Sequence, residues 1–419
     1  MIRFEAATPA PALLGLLSDL YLPERRDGWS CERPWGATAL TRDLIARGRN
    51  WVQRDSWAGG WVGDIPGGNA LVESLLIELA ASEARLRNDI SAAASTLARI
   101  VSLQHFDGSG AVFLAGPSAC VILSDPMAGV QVYVARDASG RVLAAGTHSD
   151  LVALVSGKID ELDVVSLGDF LDTGTPCCPF TMFEGVTELA PGQMLIVNAE
   201  GKSASLPWWI APAEDLTLRL EDAAEEYARL WRRAVEKRCA GKRIGVQLSG
   251  GMDSRVVMAV VPRELECTGL TFCDELNREA RISRQVAAAY GRQWVMLKRD
   301  PEYLGLTASA ATRFTGCEGE WHHAHALGLT RDFVDRGFDD VFTGLFMDNN
   351  FKGYYAEDIV PVTRLRGLLP PRHEIRKRDY IQATSAFCKR VLRSEVQEAR
   401  IRRRQFFYDS HFARGRQSE

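Results

Sequence analysis

Residues 244–255 read IGVQLSGGMDSR, and this stretch carries the strongest structural signal in the chain. The apolar run over 243–248 predicts a buried strand, and residues 254–260 predict a helix. The two are joined by Ser-Gly-Gly-x-Asp-Ser, whose glycines indicate a tight turn. A strand that runs through such a turn into a helix is typical of α/β proteins, which bind ligands at the carboxyl ends of parallel strands.

The turn has the composition of a phosphate-binding loop. Gly250 and Gly251 permit backbone angles and a close approach that other residues forbid, and the next helix presents N–H groups and its positive dipole end to an anion. The hydroxyls of Ser249 and Ser254 add donors. Asp253 would repel phosphate unless a divalent cation bridges them, so Mg²⁺ is part of this prediction. The loop is not a Walker A motif, which requires Lys after its last glycine.

The sequence pattern divides the chain into two parts. Residues 71–104 predict a helix, and short apolar runs at 111–114, 119–123, 130–135 and 142–145 predict a meandering sheet with a hairpin turn at 137–140. After residue 221, helices (223–238, 254–260, 279–290) alternate with strands (243–248, 267–272, 294–297), which predicts a parallel sheet. Because 419 residues exceed the usual size of one core, we expect two domains, 1–212 and 213–419.

Five tryptophans lie among prolines and glycines between residues 21 and 69. This segment is too rich in loop-forming residues to predict a regular element. Packing of the rings against the sheet is a more frequent role than ligand stacking, so we predict a packed cover.

Composition excludes several classes of protein. Hydrophobic residues make up 46% and charged residues 25%, as in globular proteins. No apolar run approaches the roughly 18 residues of a membrane span, and the first residues lack a secretory pattern, so we expect a cytoplasmic protein without membrane contact. Nine cysteines without a C-x-x-C pair predict reduced thiols. Residues 361–419 contain 15 Lys and Arg against 6 Asp and Glu, but no interleaved aromatics, so nucleic-acid binding is not expected.

Three stretches carry a family resemblance. The loop at 249–254 resembles that of the pyrophosphatase-loop ATP enzymes, which implies ATP as ligand and adenylation as chemistry. FEGVTELAPGQ at 183–193 and DPMAGVQVY at 125–133 are similar to segments of the glutaminase domain of the asparagine synthetase family, although Ala128 stands where that family has glycine. The resemblance therefore extends over both parts of the chain.

The resemblance implies a fold and a departure from the family. The implied fold is α/β: an α+β sandwich like that of the Ntn hydrolases over 1–212, followed by a doubly wound parallel-sheet ATP-pyrophosphatase domain with a short basic helical C-terminus. Family members that use glutamine have a cysteine at position 2, whereas this chain has Ile2, and Cys31 lies within the Trp-rich segment. We therefore expect a glutaminase scaffold without glutaminase chemistry, as in the related β-lactam synthetases.

The resemblance also implies the site residues. Asp253 and Asp348 would bind Mg²⁺ and act in catalysis. Arg403 is one candidate for the family's late cation that stabilises the transition state of pyrophosphate formation, and Lys377 and Lys389 are the alternatives. The second loop, TGLFMDN at 343–349, lacks both glutamates of the family pattern. The residues implied to bind ATP are Val246, Leu248, Ser249, Gly250, Gly251, Asp253, Ser254, Thr271, Phe272 and Gly344.

Three functions fit these features. The first is an ATP- and Mg²⁺-dependent ligase that joins a small-molecule or peptide carboxylate to an amine donor through an acyl-adenylate. The second is a cyclase that forms an intramolecular amide, as β-lactam synthetases and lasso-peptide cyclases do. The third is a nucleotide-binding pseudoenzyme, and the chain could require a partner subunit or form a homodimer.

Overall fold

The computed structural model of the protein describes residues 1–4, 9–20, 28–42, 49–103, 106–213, 215, 217–316, 327, 329–345, 357–364, 369–377 and 384–411. In these ranges the strands are β1 (Ile2–Phe4), β2 (Gly28–Arg33), β3 (Gly36–Thr41), β4 (Trp51–Arg54), β5 (Trp57–Asp64), β6 (Ser109–Ala115), β7 (Ala119–Ser124), β8 (Tyr133–Arg136), β9 (Val142–Gly146), β10 (Val186–Glu188), β11 (Gln193–Asn198), β12 (Ser203–Pro207), β13 (Ile244–Gln247), β14 (Cys267–Cys273), β15 (Gln293–Lys298), β16 (Asp340–Phe342), β17 (Glu357–Arg364) and β18 (Leu369–Lys377). The helices are α1 (Ala10–Leu20), α2 (Gly68–Ala81), α3 (Glu83–Asn88), α4 (Ile90–Leu103), α5 (Ser149–Val155), α6 (Val164–Thr173), α7 (Leu220–Cys239), α8 (Met252–Val260), α9 (Arg278–Ala289), α10 (Tyr303–Phe314), α11 (Thr330–Asp335), α12 (Ala386–Val391) and α13 (Ser394–His411).

Two antiparallel sheets form the first part of the described chain. One has the strand order β10-β8-β9-β1-β3-β2, and the other has the order β12-β11-β7-β6-β5-β4. A hydrophobic core that includes Ile2, Phe113 and Ile122 fills the space between the sheets. Helices α2, α3 and α4 cover the outer face of the second sheet, and α1 and α5 cover the first. The four layers confirm the predicted α+β sandwich.

A parallel sheet forms the second part, in the order β15-β14-β13-β16. Strand β13 pairs in parallel with both β14 and β16, and its Ile244 and Val246 are completely buried. The predicted α/β class is therefore confirmed. The predicted domain boundary lies between Pro207, where β12 ends, and Leu220, where α7 begins, and it stays a prediction.

The helical pattern over 71–104 is confirmed up to Leu103, and the structure divides it into three helices, α2, α3 and α4. The backbone N–H of Ser82 closes the end of α2 on the carbonyls of Glu78 and Leu79. Asp89 ends α3, and its carboxylate accepts hydrogen bonds from the N–H groups of Ser91 and Ala92 at 3.1 and 3.0 Å. This side-chain cap starts α4. Apolar spacing continues across both breaks, so periodicity alone did not reveal them.

The Trp-rich segment was predicted to be a cover without regular structure, which is wrong, because β2 to β5 lie in it. The predicted packing of the tryptophan rings is confirmed for Trp35 and Trp57, the two buried tryptophans of this segment. Trp35 stacks on Phe4 with ring centroids 5.0 Å apart, and Trp57 is completely buried. The indole N–H of Trp57 donates to the carboxylate of Glu83 at 3.0 Å, so the polar group of this buried ring has a hydrogen-bond partner on α3.

The basic C-terminal stretch is only partly helical. Strands β17 and β18 pair antiparallel there, ahead of α12 and α13. Among the described residues, no helix combines the length and the hydropathy that a membrane span requires. The eight described cysteines are free thiols.

Candidate functional site

A cleft of about 570 Å³ opens at the carboxyl ends of the parallel strands. From β13 the chain adds β14 and then β15 on one side of the sheet. It then returns to add β16 on the other side of β13, so the strand order reverses beside β13. Ligands of open α/β sheets bind at this switch point, and the volume is within the usual range for small-molecule sites. The cleft is lined by Gln247, Leu248, Ser249, Asp253, Ser254, Leu270, Thr271, Phe272, Cys273, Asn277, Glu279, Leu297, Arg299, Leu329, Phe333, Thr343, Gly344 and Leu345.

Two serines hold the loop after β13 closed. The Oγ atoms of Ser249 and Ser254 are 2.9 Å apart, and the backbone N–H of Ser249 donates to Ser254 Oγ at 3.0 Å. The N–H of Gly251 donates to Ser249 Oγ at 3.1 Å. These bonds fold the loop back over the first turn of α8, whose N-terminal end therefore faces the cleft and favours an anion there.

The glycines of this loop act through close packing rather than unusual backbone angles. Neither Gly250 nor Gly251 has a left-handed φ, and that of Gly251 is −77°. A Cβ on Gly250 would lie 3.3 Å from Cγ of Glu279, and the carboxylate of Glu279 accepts the N–H of Gly250 at 3.3 Å. The expected close approach is thus present, while the expected backbone angles are wrong.

The second loop meets the first at Gly344. A Cβ on Gly344 would lie 2.9 Å from the backbone N of Ser254 and 3.1 Å from Cβ of Asp253. Only glycine leaves room for the loop after β16 beside the first turn of α8. The contact brings Asp253 and Gly344, which are far apart in sequence, to one wall of the cleft.

The carbonyl of Leu248 anchors the start of the loop to the neighbouring elements. It accepts hydrogen bonds from the hydroxyls of Thr271 at 2.8 Å and Ser283 at 3.0 Å. Thr271 Oγ1 also accepts the indole N–H of Trp294 at 2.9 Å. The Thr271 hydroxyl therefore positions the loop, and the next residue, Phe272, also lines the cleft.

Arg299 supplies positive charge that the motif analysis missed. Its guanidinium donates to both carboxylate oxygens of Asp274, at 2.6 and 3.0 Å, and lies 5.8 Å from the ring centroid of Phe272. The hydrogen-bonded carboxylate of Asp274 raises the pKa of Arg299, and the guanidinium of Arg299 lowers the pKa of Asp274, so the pair favours the ionised form of both groups. Arg299 directly follows β15, and its position at a strand end was the available signal.

The structure assembles most, but not all, of the predicted residues. Leu248, Ser249, Asp253, Ser254, Thr271, Phe272 and Gly344 line one cleft, and Gly250 and Gly251 lie in its loop. Val246 is completely buried in the core of the parallel sheet and is not among the lining residues. Asp348 lies outside the described residues.

Arg403 lies elsewhere in the molecule, against the first part of the chain. Its guanidinium pairs with Asp163 at 2.8 Å, donates to Ser166 at 3.2 Å, and lies 4.0 Å from the ring centroid of Phe180. It is not among the residues that line the cleft. These contacts favour a structural role, and they leave the predicted catalytic role without support.

The residues of the cleft fit a nucleotide with Mg²⁺. Asp253 is a carboxylate on the cleft wall, and the Gly344 contact leaves the space in front of α8 free of a Cβ. No group of three or more His, Cys, Asp or Glu suited to a metal occurs within the described ranges. A single carboxylate beside a phosphate-binding loop suits Mg²⁺, which commonly takes one or two carboxylates and completes its shell with phosphates and water. Asp253 would hold it.

Residues 226–308 match the family model described as asparagine synthase. This segment extends from α7 into α10 and contains the loop at 249–254, so the chain is similar to that family over β13, β14 and β15, whereas β16 lies outside the match. No curated protein is significantly similar to the chain.

Two solved structures show weak similarity. One is the glutamine phosphoribosylpyrophosphate amidotransferase of B. subtilis complexed with ADP and GMP, at 12% identity and a TM-score of 0.25, covering 65% of this chain and 54% of that one. The other is described as the allosteric regulatory enzyme of purine biosynthesis, at 11% identity and a TM-score of 0.24, covering 61% and 62%. The chain thus spans less than two thirds of either protein, and scores of this size do not establish a common fold.

Proposed function

We propose that the protein is an ATP- and Mg²⁺-dependent carboxylate–amine ligase that activates its acid as an acyl-adenylate. The observation that carries this proposal is the loop at 249–254, which lies at the switch point of the parallel sheet within the asparagine synthase segment. A phosphate site alone would suit many enzymes. The match to an amide-forming family favours this chemistry.

The proposed reaction has two steps. A carboxylate oxygen attacks the α-phosphorus of ATP, the bond from that phosphorus to the bridging oxygen breaks, and pyrophosphate leaves with the electron pair. The amine nitrogen then attacks the acyl carbon, the bond to the AMP oxygen breaks, and the amine gives up a proton. Amide, AMP and pyrophosphate are the products.

Several described residues would act in the first step, each with a different role. The N–H groups at the start of α8 and the hydroxyls of Ser249 and Ser254 bind phosphate oxygens. Asp253 would hold Mg²⁺, which would neutralise charge on the phosphates. The guanidinium of Arg299 also lines the cleft while paired with Asp274, and it would stabilise negative charge that develops on the phosphates. Leu329 and Phe333 provide apolar surface for the base or the acid.

The proposal includes no glutamine hydrolysis. Ile2 is completely buried in the core between the two sheets, so β1 offers no nucleophile at that position. Burial raises the pKa of Cys31 on β2, which disfavours its thiolate. The amine therefore comes from free ammonia, a second substrate, the same molecule or a partner subunit.

ATP–pyrophosphate exchange with Mg²⁺ across a panel of acids tests the proposal. The panel includes amino acids, peptides, and molecules that carry both an acid and an amine. We expect exchange with one acid, its loss in Asp253→Asn, and its retention in Glu264→Gln, which removes an exposed carboxylate outside the cleft.

The product distinguishes the remaining possibilities. An intermolecular amide would support the ligase, and a ring closed within one substrate would identify a cyclase. Glutamate released from glutamine during exchange would overturn the absence of glutaminase activity. ATP binding by calorimetry without exchange for any acid would contradict the ligase and favour a nucleotide-binding pseudoenzyme.

A further inference from the structure

A second cavity, of about 470 Å³, lies where the first sheet meets the end of α10. From the sandwich it is lined by Gln131, Tyr133, Thr147, Thr175, Pro176, Cys178, Phe180 and Glu188, and from α10 and the residue after it by Phe314 and Thr315. It shares no lining residue with the nucleotide cleft. The volume suits a small organic molecule.

Glu188 is the one carboxylate among the described residues that line this second cavity. No Lys, Arg or His is among those lining residues. Glu188 is partly buried, and its described side-chain partner is the thiol of Cys178, which donates to it. Burial raises the pKa of Glu188. A carboxylate removed from water is normally paired with a cation, and the described part of the chain supplies none here.

The other polar side chains of the cavity each carry an oxygen that can accept a hydrogen bond. The phenol of Tyr133 donates to Oε1 of Gln131 at 2.9 Å, which places two oxygens side by side at the wall of the cavity. The hydroxyl of Thr147 lies 3.0 Å from Nδ1 of His148 and adds another oxygen. An ammonium group, with three donors and no acceptor, complements a carboxylate surrounded by such oxygens.

Phe180 and Phe314 give the cavity two aromatic walls. The guanidinium of Arg403 lies 4.0 Å from the Phe180 ring centroid, so this ring already contacts one cation. Aromatic rings attract cations and also pack against apolar groups. A ligand with an ammonium end and a short apolar body would match both kinds of wall.

We propose that this second cavity is a binding site for a primary organic amine in its ammonium form, with Glu188 as its counter-ion. The inference rests on the cavity and its charge, and it does not depend on the proposed adenylation. One helix, α10, connects the two sites: its first residue, Tyr303, contacts Phe272 of the cleft edge-on at 5.0 Å, and its last, Phe314, lines the second cavity.

Isothermal titration of the full chain without ATP tests this assignment. The probes are 2-phenylethylamine, tryptamine and 1,4-diaminobutane, with 2-phenylethanol as the uncharged match of the first. We expect at least one of the three amines to bind. If 2-phenylethylamine binds, the alcohol should bind at least about tenfold more weakly than that amine. The Glu188→Gln substitution should weaken amine binding by about tenfold or more.

The matched control is Glu184→Gln, which removes an exposed carboxylate four residues away and should bind the amine as the unchanged protein does. A thermal melt of Glu188→Gln shows whether the variant is folded, and Tyr133→Phe provides a second variant with a smaller expected loss. The assignment is overturned if no amine binds up to about 10 mM, if amine and alcohol bind equally, or if Glu188→Gln leaves the affinity unchanged. ATP exchange is measured separately, so either proposal can fail alone.

Discussion

Ala128 adopts a left-handed backbone conformation, with φ of 47°, in a turn organised by a buried aspartate. The carboxylate of Asp125 accepts backbone N–H groups from Gly110 at 2.7 Å, Met127 at 2.8 Å and Gly129 at 3.2 Å. The carboxylate of Asp125 therefore fixes the backbone conformation of this turn. The glycine that the family resemblance places at position 128 has a direct physical reason.

Ala128→Gly is expected to stabilise the protein by about 0.5–1 kcal/mol. Relief of the left-handed strain, about 1–2 kcal/mol for a residue with Cβ, exceeds the added entropy of glycine in the unfolded chain. Urea unfolding measures the change. The control is Ala138→Gly in the exposed turn at 137–140, where φ is not left-handed and the same entropy should destabilise. A loss of stability in Ala128→Gly would contradict the explanation.

Gly344→Ala is expected to reduce nucleotide binding by about tenfold or more. The new Cβ would lie 2.9 Å from the backbone N of Ser254, so the first turn of α8 must shift. Calorimetry with ATP and Mg²⁺ measures the affinity. Gly305→Ala on α10 is the control, because a Cβ there meets nothing within 4 Å. Equal affinities in the two variants would show that the contact does not shape the site.

At the scale of elements, α13 is attached to α6 by buried charges. Arg400 is 1% exposed and donates to Asp169 at 2.9 Å and to Asp172 at 2.5 Å, while Arg404 donates to Asp169 at 2.7 Å. Gly168 allows the approach, since a Cβ there would lie 3.0 Å from Cδ of Arg400. Part of the basic charge of 361–419 thus serves packing.

Arg400→Met is expected to destabilise the protein by about 3–5 kcal/mol, because it leaves two buried carboxylates without their main partner. Burial alone would raise the pKa of Asp172, but hydrogen bonds from Arg400 and Ser385 hold that pKa well below its usual value. Urea unfolding measures the loss. Arg402→Met on the same helix removes an exposed ion pair with Glu398 and should cost no more than about 1 kcal/mol. Similar losses in both variants would refute the assignment.

At the scale of the whole molecule, the two parts of the chain are linked at several places. Arg238 and Lys237 at the end of α7 pair with Asp64 and Asp107 of the sandwich. Ser149 donates to the carbonyl of Gly316 at 3.0 Å, directly beside the buried His148. Groups at this junction therefore influence the stability of the molecule as a unit.

His148 is expected to make the protein sensitive to acid. Burial lowers the pKa of His148 from 6.5 to about 4. Between these values the unfolded chain binds a proton that the folded chain does not, so stability falls as pH decreases. From about pH 7 to pH 5 the loss from this group is about 2 kcal/mol.

Urea unfolding at both pH values, for the unchanged protein and for His148→Gln, measures this contribution. The unchanged protein should lose about 2 kcal/mol more than the variant on acidification. His148→Asn guards against an effect of one replacement on packing. Parallel pH dependence in all three proteins would show that His148 is not the acid-sensitive group.

The sequence alone determined the class of the fold and the loop at 249–254, because strand and helix periodicity and a glycine-serine turn are local properties. It did not reveal the breaks at Ser82 and Asp89, where apolar spacing runs through the caps, or the strands in the Trp-rich segment, whose partners are distant. The tertiary structure decided which residues come into contact. Arg299 and Gly344 line the same cleft as the loop after β13, and Arg400 pairs with Asp169. Glu188 lies in a cavity that has no cation among its described lining residues. Such contacts depend on how elements from distant parts of the sequence pack together, and local sequence patterns do not record that packing.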